Sequence, residues 1–504
     1  MKTICFLLIT SLTMSAYAQT WIKTYDHNNG NTDVASKIIE TNNNHFIVAG
    51  QTTIPSIWMW GFNGFIIALD FNGDTLWTKT LGSSANDFLT DVIENNNNEL
   101  IFTGSRYYFP ANSPQLWIIK LQLNANGTQI ISTSEKYFGG NDKDDGGTKI
   151  IQNPDGTYFV TGNTESYGTQ QGGSDAWLLK LNSNLDTIWT KTYDFGYAEE
   201  AKSIIPFNSG NYLMLVNSTT GQMGFPPFYT NFAKVLLINS SGNVLKTLTF
   251  NNDTINYFIN ARPTSDGGAI LIGSTGVNDN SVPYGGRNIF IVKLNANADT
   301  VWTKIYGGYG KYDGGLDIIQ DNDGTYYAAC YTQTQYVDSV DNWYLMRLDA
   351  QGNIIYSNCL IHKKDNDDPV SILKASDGTL VIAGHINANS NPGQSWDLGN
   401  SDICVAKLDT NFVTGIQEQV LNKLSFTIYP NPFTAQATLH TDQILENATL
   451  RIYNIYSQKV KEITNIYGQT ITLQRNNLPS GLYFVQLLHD NNVITNAKLI
   501  ILTE

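Results

Sequence analysis

Cysteine is scarce in this chain, four in 504 residues, and Cys5 falls in an apolar N-terminal run. The other three, Cys330, Cys359 and Cys404, have no metal-like spacing. An odd number cannot complete a disulfide framework, so buried thiols are expected. Charge is thin as well: Asp, Glu, Lys and Arg make up 15% of residues, with a net charge of −14. That balance excludes nucleic acid and anionic membrane surfaces as partners, since both require basic patches. The six histidines are scattered. No His-Glu-x-x-His or Gly-x-Ser-x-Gly occurs, and no glycine-rich phosphate loop follows a strand. With no catalytic constellation legible, the expectation is a protein that is not an enzyme. Beyond the N-terminal run no apolar stretch approaches the length of a membrane span.

What the sequence has is repetition. Between Trp21 and Val413 a unit returns seven times, at intervals of about 56 residues. Its clearest starts are Trp21-Ile-Lys-Thr-Tyr25, Trp77-Thr-Lys-Thr-Leu81, Trp189-Thr-Lys-Thr-Tyr193 and Trp302-Thr-Lys-Ile-Tyr306. Degenerate starts at Ser134, Leu245 and Ile355 complete the set. An acidic turn, an Ile-Ile pair, a tight turn, an apolar-aromatic run, a variable stretch and a Leu-Lys-Leu-Asn-like run follow each start. Nothing in the unit has helical period. In the third unit Thr148–Gln152 reads as a strand and Asn153-Pro-Asp-Gly156 as a hairpin turn, because Asp-Gly supplies the backbone angles such turns need. Thr157–Thr161, Ala176–Asn182 and Thr187–Tyr193 read as three more strands. Four short antiparallel strands per unit make one propeller blade, and neighbouring blades must stack to bury both faces. The predicted fold is therefore all-β, a seven-bladed β-propeller of four-stranded blades over residues 19–413. The chain leaves the last unit after its third strand, near Ile403–Asp409. Trp21–Tyr25 is expected to supply the missing fourth strand and close the ring.

Residues 1–18 carry Lys2, an apolar run from Ile4 to Met14, and Ala16-Tyr17-Ala18. This is the pattern of a signal peptide cleaved after Ala18.

Aligning the units on their Ile-Ile pairs brings Asp33, Asp87, Asp145, Glu199, Asn256, Asp313 and Asp367 to one position, entering the innermost strand. Two readings fit. A ring of carboxylates at the channel mouth would suit calcium or a cationic ligand, because hard cations take oxygen ligands. Alternatively each side chain caps its own turn, and the recurrence is intrinsic to the repeat. The variable loops share that face, where function concentrates. They are aromatic: Trp58, Trp60 and Phe62; Tyr107, Tyr108 and Phe109; Phe225, Phe228 and Tyr229; then Tyr284 and Trp396. Such rings either hold a sugar or peptide by flat apolar contact or fold back to cover gaps in their own blades. Lys120, Lys180, Lys293, Arg347 and Lys407 recur inside the third strand and read as structural, the stem packing and the head reaching a carboxylate.

After a polar linker at 414–424 the character changes. Phe426-Thr-Ile-Tyr-Pro-Asn-Pro-Phe433, Ala448-Thr-Leu-Arg-Ile-Tyr-Asn454, Leu478-Pro-Ser-Gly-Leu-Tyr-Phe-Val485 and Ala497-Lys-Leu-Ile-Ile501 together resemble the C-terminal sorting domain of the type IX secretion system of Bacteroidota. The pattern rests on Tyr429, Pro430, Asn431, Pro432, Pro479, Gly481, Tyr483 and Lys498. It departs from the family at Tyr456-Ser-Gln458, where a glycine-containing turn is usual, and in having only Lys498 before the last strand. From the residues alone, 425–504 reads as a small immunoglobulin-like β-sandwich. The resemblance implies export through the periplasm to the outer-membrane surface or the medium, with the secretion machinery as partner. The repeats likewise resemble the Tyr-Gly-Gly and Asp-Gly-Gly propeller repeats of bacterial and archaeal surface proteins, as in Tyr306-Gly-Gly308 and Asp313-Gly-Gly315. The resulting expectation is a secreted or cell-surface propeller that binds an extracellular carbohydrate or protein through its loop face. It requires no cofactor, with calcium the candidate ion. The alternatives are a polysaccharide-acting enzyme with carboxylates at the channel mouth, and a structural or adhesion protein.

Overall fold

The computed structural model describes residues 20–27, 32–54, 61–83, 85–108, 113–169, 173–196, 198–220, 230–250, 256–276, 286–308, 311–334, 341–361, 367–387, 401–411, 426–454, 458–489 and 492–502. The leader, the linker 414–424, and Trp58, Trp60, Phe109, Phe225, Phe228, Tyr229, Tyr284 and Trp396 lie outside them. The chain divides into two compact units, Met1–Gly415 and Ile416–Glu504.

The first unit is built from seven four-stranded antiparallel sheets, an arrangement consistent with a propeller. In the third sheet the strands are Asp145–Gln152, Tyr158–Thr164, Asp175–Leu181 and Thr187–Tyr193. The first two join through a turn in which the Gly156 N–H donates to the Asn153 carbonyl, with Gly156 at φ +79°. Burial explains the sequence pattern. Second and third strands are covered on both faces and read as nearly continuous apolar runs, whereas the fourth strand is partly exposed and alternates. Each sheet packs on the next in chain order, and the seventh packs on the first. The seventh consists of Asp368–Lys374, Leu380–Asn387 and Ser401–Leu408, with Trp21–Tyr25 as its fourth strand. Trp21 stands opposite Lys407 and Tyr25 opposite Ile403.

The Trp-x-Lys-x-Tyr motif clasps one sheet to its neighbour. Trp21 Nε1 donates to the Phe71 carbonyl at 3.4 Å, Lys23 Nζ reaches Asp74 at 2.6 Å, and the Tyr25 hydroxyl donates to the Gly73 carbonyl at 2.7 Å. Lys191 and Tyr193 repeat the pattern on Asn243 and Gly242, and Trp302 and Lys304 on Ala350 and Asn353. The glycine under each indole has no alternative. Gly73 and Gly242 have φ near +79° and +73°, and an added Cβ would stand 2.7 Å and 2.9 Å from the Trp21 and Trp189 rings. The third-strand cations have the partners their stems aim at: Lys293 meets Asp266 at 2.8 Å, Arg347 meets Asp323 at 2.8 Å, and Lys407 meets Asp377 at 2.9 Å.

Cys330, Cys359 and Cys404 form no disulfide. In the second unit the hydrogen bonds join all five strands in one sheet rather than the two of a sandwich, with the order Phe426–Tyr429, Gln436–Asn454, Gly481–His489, Asn492–Ile501. Lys459–Gln474 pairs with the long second strand. Register shifts between His440 and Leu450 bend that strand. Phe433 bridges to Ile501, so the sheet curls round its core towards a barrel.

Candidate binding face and interior cavity

All seven inner strands carry the same irregularity. The register shifts just before the apolar pair: between Ala35 and Lys37, Leu89 and Asp91, Gly147 and Lys149, Ala201 and Ser203, Phe258 and Asn260, Gly315 and Asp317, Pro369 and Ser371. The extra residue in each strand, from Ser36 and Thr90 round to Leu316 and Val370, lines an interior cavity of about 480 Å³. The residue after each bulge is polar in every case. Lys37, Asp91, Ser203, Asn260, Asp317 and Ser371 are buried.

Their bonds fall into two groups, one centred on Asp317 and one on Asp91. Asp317 accepts from Asn260 Nδ2 at 2.7 Å, from Arg262 Nη2 at 2.7 Å, and from the Ile372 N–H at 3.2 Å, with Lys37 Nζ at 3.7 Å. Ser203 donates to Asn260 at 3.1 Å, and Asp91 accepts from the Ile150 N–H at 3.0 Å with Lys149 at 3.8 Å. Despite burial, Arg262 and Lys37 hold the Asp317 carboxyl well below the usual carboxylate range. Arg262 has the shorter contact, so Lys37 is the surplus cation. Burial and Arg262 push its ammonium down to about 7. The repeat alignment singles out the acidic residue at the head of the strand rather than this position. A polar residue directly before the apolar pair in all seven units was the available signal, and the bulge hides its meaning by breaking the strand alternation.

The aligned acidic residues are buried in their own sheets. Asp33 accepts the His27 N–H at 2.7 Å, Asp87 the Tyr107 N–H at 2.9 Å, and Asp313 the Gly308 and Gln333 N–H groups at 3.1 Å. Asp145 takes the Gly140 N–H and the Thr164 and Ser166 hydroxyls, and Glu199 takes the Ser218 hydroxyl at 2.8 Å. Asn256 and Asp367 are buried at the equivalent places. Burial raises the carboxyls of Asp33 and Asp87. The cavity wall is made by the residues that follow them, Val34, Phe88, Gly146 and Glu200. Among the described residues, two groups bring three carboxylates within 4.8 Å of one another: Asp26, Asp33 and Asp402, and Asp175, Asp194 and Glu199. Either set offers the hard oxygen donors that calcium takes.

Of the loop aromatics, Phe62 is half-buried with its ring 5.6 Å from Phe88, which lines the cavity. Tyr107 is half-buried, and Tyr108 ends the strand Glu99–Tyr108.

On the same face a mixed cluster spans the fifth, sixth and seventh sheets. The Tyr331 hydroxyl hydrogen-bonds Tyr257, over whose ring the Arg287 guanidinium stands at 5.5 Å. The Tyr331 ring lies against Gly314, where an added Cβ would come within 2.4 Å of it. Gln333 donates to Asp341 at 2.9 Å, and His385 Nε2 stands 3.8 Å from Asp368. Burial and the Asp368 charge push Asp341 up to about 7, and burial pushes Asp368 up to about 6. Burial also pushes His385 down to about 4, so its imidazole is neutral. No sequence motif announced this cluster, because its members come from seven places in three repeats.

Asn431 of the Tyr-Pro-Asn-Pro segment fastens the last strand: its Nδ2 donates to the Lys498 carbonyl at 2.8 Å and its Oδ1 accepts the Ile500 N–H at 2.9 Å. The Tyr483 hydroxyl donates to the Pro479 carbonyl at 2.7 Å. Among the described residues no helix is long and apolar enough to cross a membrane.

No curated protein matches the chain. Among solved structures, a protein of unknown function from Bacteroides caccae is 13% identical, covering 62% of this chain and 93% of its own, with a TM-score of 0.35. PorZ of Porphyromonas gingivalis, a surface component of the type IX secretion system, is 11% identical over 91% and 69%, with a TM-score of 0.29. YCF48 of Cyanidioschyzon merolae is 12% identical over 76% and 98%, with a TM-score of 0.43. Residues 427–502 match the secretion system C-terminal sorting domain. The C-terminal unit is therefore a type IX sorting domain, and the protein is cargo that this system exports to the cell surface or the extracellular space.

Proposed function

We propose that the seven sheets close into a seven-bladed propeller that binds an extracellular ligand, carbohydrate or protein, through its variable-loop face. The observation that carries this reading is the half-buried cluster of Tyr257, Arg287, Tyr331, Asp341, Asp368 and His385 on that face. Aromatic rings beside oriented polar groups are what sugar and peptide recognition requires. Phe62 and Tyr107 extend the candidate surface, and Trp58, Trp60, Tyr108, Phe225, Phe228, Tyr229 and Trp396 are the further ligand-binding residues of this proposal. Calcium at the Asp26–Asp33–Asp402 or Asp175–Asp194–Glu199 group would brace the loop bases. The leader ending at Ala18 would deliver the chain to the periplasm for export. A polysaccharide-acting enzyme is the second reading, favoured by the convergence of His385, Tyr331 and Arg287 beside two carboxyls of raised pKa.

The test is a glycan and protein binding screen of the exported protein, run with calcium and with chelator, and with reducing-end release assayed in the same wells. Saturable binding without product is the expected outcome. Product release would replace this reading with the enzyme, and silence throughout would leave an adhesive or structural role.

A further inference from the structure

The wall of the interior cavity is divided by residue type. Its bulge residues are Ser36, Thr90, Thr148 and Lys202 in the first four sheets, but Ile259, Leu316 and Val370 in the last three. Lys37 and Lys149 line the same cavity. Among the described residues no hydrogen bond reaches either ammonium: Asp317 stands 3.7 Å from Lys37 and Asp91 3.8 Å from Lys149, outside hydrogen-bond range. The hydroxyls beside them are engaged by the protein. Thr90 donates to the Gly147 carbonyl at 2.8 Å, Thr148 to the Ala201 carbonyl, and Ser371 to Asp317 at 3.4 Å. Charge is unbalanced as well. Asp317 already has Arg262 at 2.7 Å, so Lys37, Lys149 and Arg262 face two carboxylates, Asp91 and Asp317, and one positive charge is left over. Glu200 and Lys202 of the fourth sheet answer each other at 3.2 Å. A cation held away from water with no counter-charge of its own is costly.

We propose that the cavity binds a small organic carboxylate, its head at Lys37 and Lys149 and its apolar body against Ile259, Leu316 and Val370. The site shares no residue with the loop-face cluster and does not rest on it. A lysine ammonium is a compact charge with three donors and no acceptor. Two of them without a short contact in the protein can each take one carboxylate oxygen, and the bound anion supplies the missing counter-charge. A volume of about 480 Å³ lies in the range of small-ligand sites. The apolar part of the wall then adds affinity with each methylene it covers, which a bare inorganic anion cannot use. Lys37 binds the anion only when protonated. Around its ammonium stand Arg262 and Asn260 of the fifth sheet, Asp317 of the sixth and Ser371 of the seventh, with Asp91 and Lys149 from the second and third and the Glu200–Lys202 pair from the fourth. Burial and Arg262 bring it down to about 7. Binding therefore takes up a proton above that value, and affinity falls as pH rises through it.

The experiment is calorimetric titration of the purified full-length protein at about pH 6 and about pH 8. The probes are acetate, butyrate, hexanoate, neutral hexanamide, inorganic phosphate and N-acetylleucine. Affinity should rise about fourfold per methylene from acetate to hexanoate and be about tenfold weaker at the higher pH, with no binding of hexanamide. Lys37→Met keeps the stem and removes the leftover charge, so the variant should fold and bind hexanoate about tenfold or more weakly. The pH and chain-length series are read on the parent protein and need no variant. Hexanoate and N-acetylleucine separate a fatty source of the carboxylate from a peptide-derived one. Equal affinity for acetate and hexanoate, phosphate bound as tightly as hexanoate, binding of hexanamide, or unchanged binding by a folded Lys37→Met overturns the proposal. Failure of every carboxylate to bind does so too, and leaves the loop-face reading to its own screen.

Discussion

Asp317 is the side chain on which three neighbouring sheets of the first unit converge. It is 1% exposed, sits in the sixth sheet, and takes contacts from the fifth, the seventh and the first. Removing one partner of a buried, hydrogen-bonded ion pair costs about 3–5 kcal/mol, because the other charge stays buried. Asp317→Asn should therefore lose about that much in denaturant unfolding, and still bind ligand while folded. Its acid dependence has a defined sign. The folded carboxyl titrates below its unfolded value, so its stabilisation is present above the unfolded pKa and is lost as pH falls through the folded one. Lys37 behaves oppositely to most lysines. Its folded value of about 7 lies below the unfolded 10.5, so the unfolded chain binds the extra proton across that window. Stability from this residue rises with pH from about 7 to about 10.5. In Lys37→Met that slope disappears; a difference curve of melting temperature against pH, variant minus parent, that stays flat would contradict the surplus-cation account.

At the scale of elements, the clasp and the bulge divide what sequence makes legible from what it hides. Trp-x-Lys-x-Tyr is visible because all three side chains must face the neighbouring sheet's turn, and the turn's glycine must have positive φ. Spacing and residue type therefore carry the contact directly. The strands of the third unit are equally legible, because Asn153-Pro-Asp-Gly156 and the doubly buried runs fix their ends. The buried polar set of Lys37, Asp91 and Asp317 is hidden, since a one-residue bulge reverses the face on which a side chain falls. The Tyr331 cluster is hidden more deeply, because its members meet only after three sheets have packed. Closure by Trp21–Tyr25 also belongs to this scale. Trp21 is 8% exposed and packs with Phe46, Val405 and Ala383. Trp21→Ala should cost about 3–5 kcal/mol. Deleting the whole strand bares the edge of Ser401–Leu408, so that truncation should also self-associate in light scattering, as uncovered sheet edges do. A monomeric truncation of undiminished melting temperature would show that the strand contributes little.

For the whole molecule, the division into two units separates what is carried from what directs the carriage. In the sorting domain the inward residues Tyr483, Val485, Leu487, Leu499 and Ile501 form the core. The alternate positions turn out. Leu482 stands opposite Ile500, and Phe484 opposite Lys498. Leu482, Phe484 and Ile500 are about two-fifths exposed, at 38%, 42% and 37%. Apolar side chains kept on the solvent face of a folded sheet, beside an exposed lysine, are what a recognition surface offers. Because these residues do not contribute to the core, Leu482→Ser with Ile500→Ser should leave the domain's unfolding transition within about 0.5 kcal/mol of the parent. Export depends on the domain being recognised, so the same double variant should accumulate inside the cell while the parent reaches the surface or medium. Fractionation after expression in a type IX-competent host decides between the outcomes. Retention of a variant that still folds makes the outward face the part the machinery reads, whereas normal export would transfer that role to the Tyr429–Pro432 edge, where Tyr429 is 80% exposed.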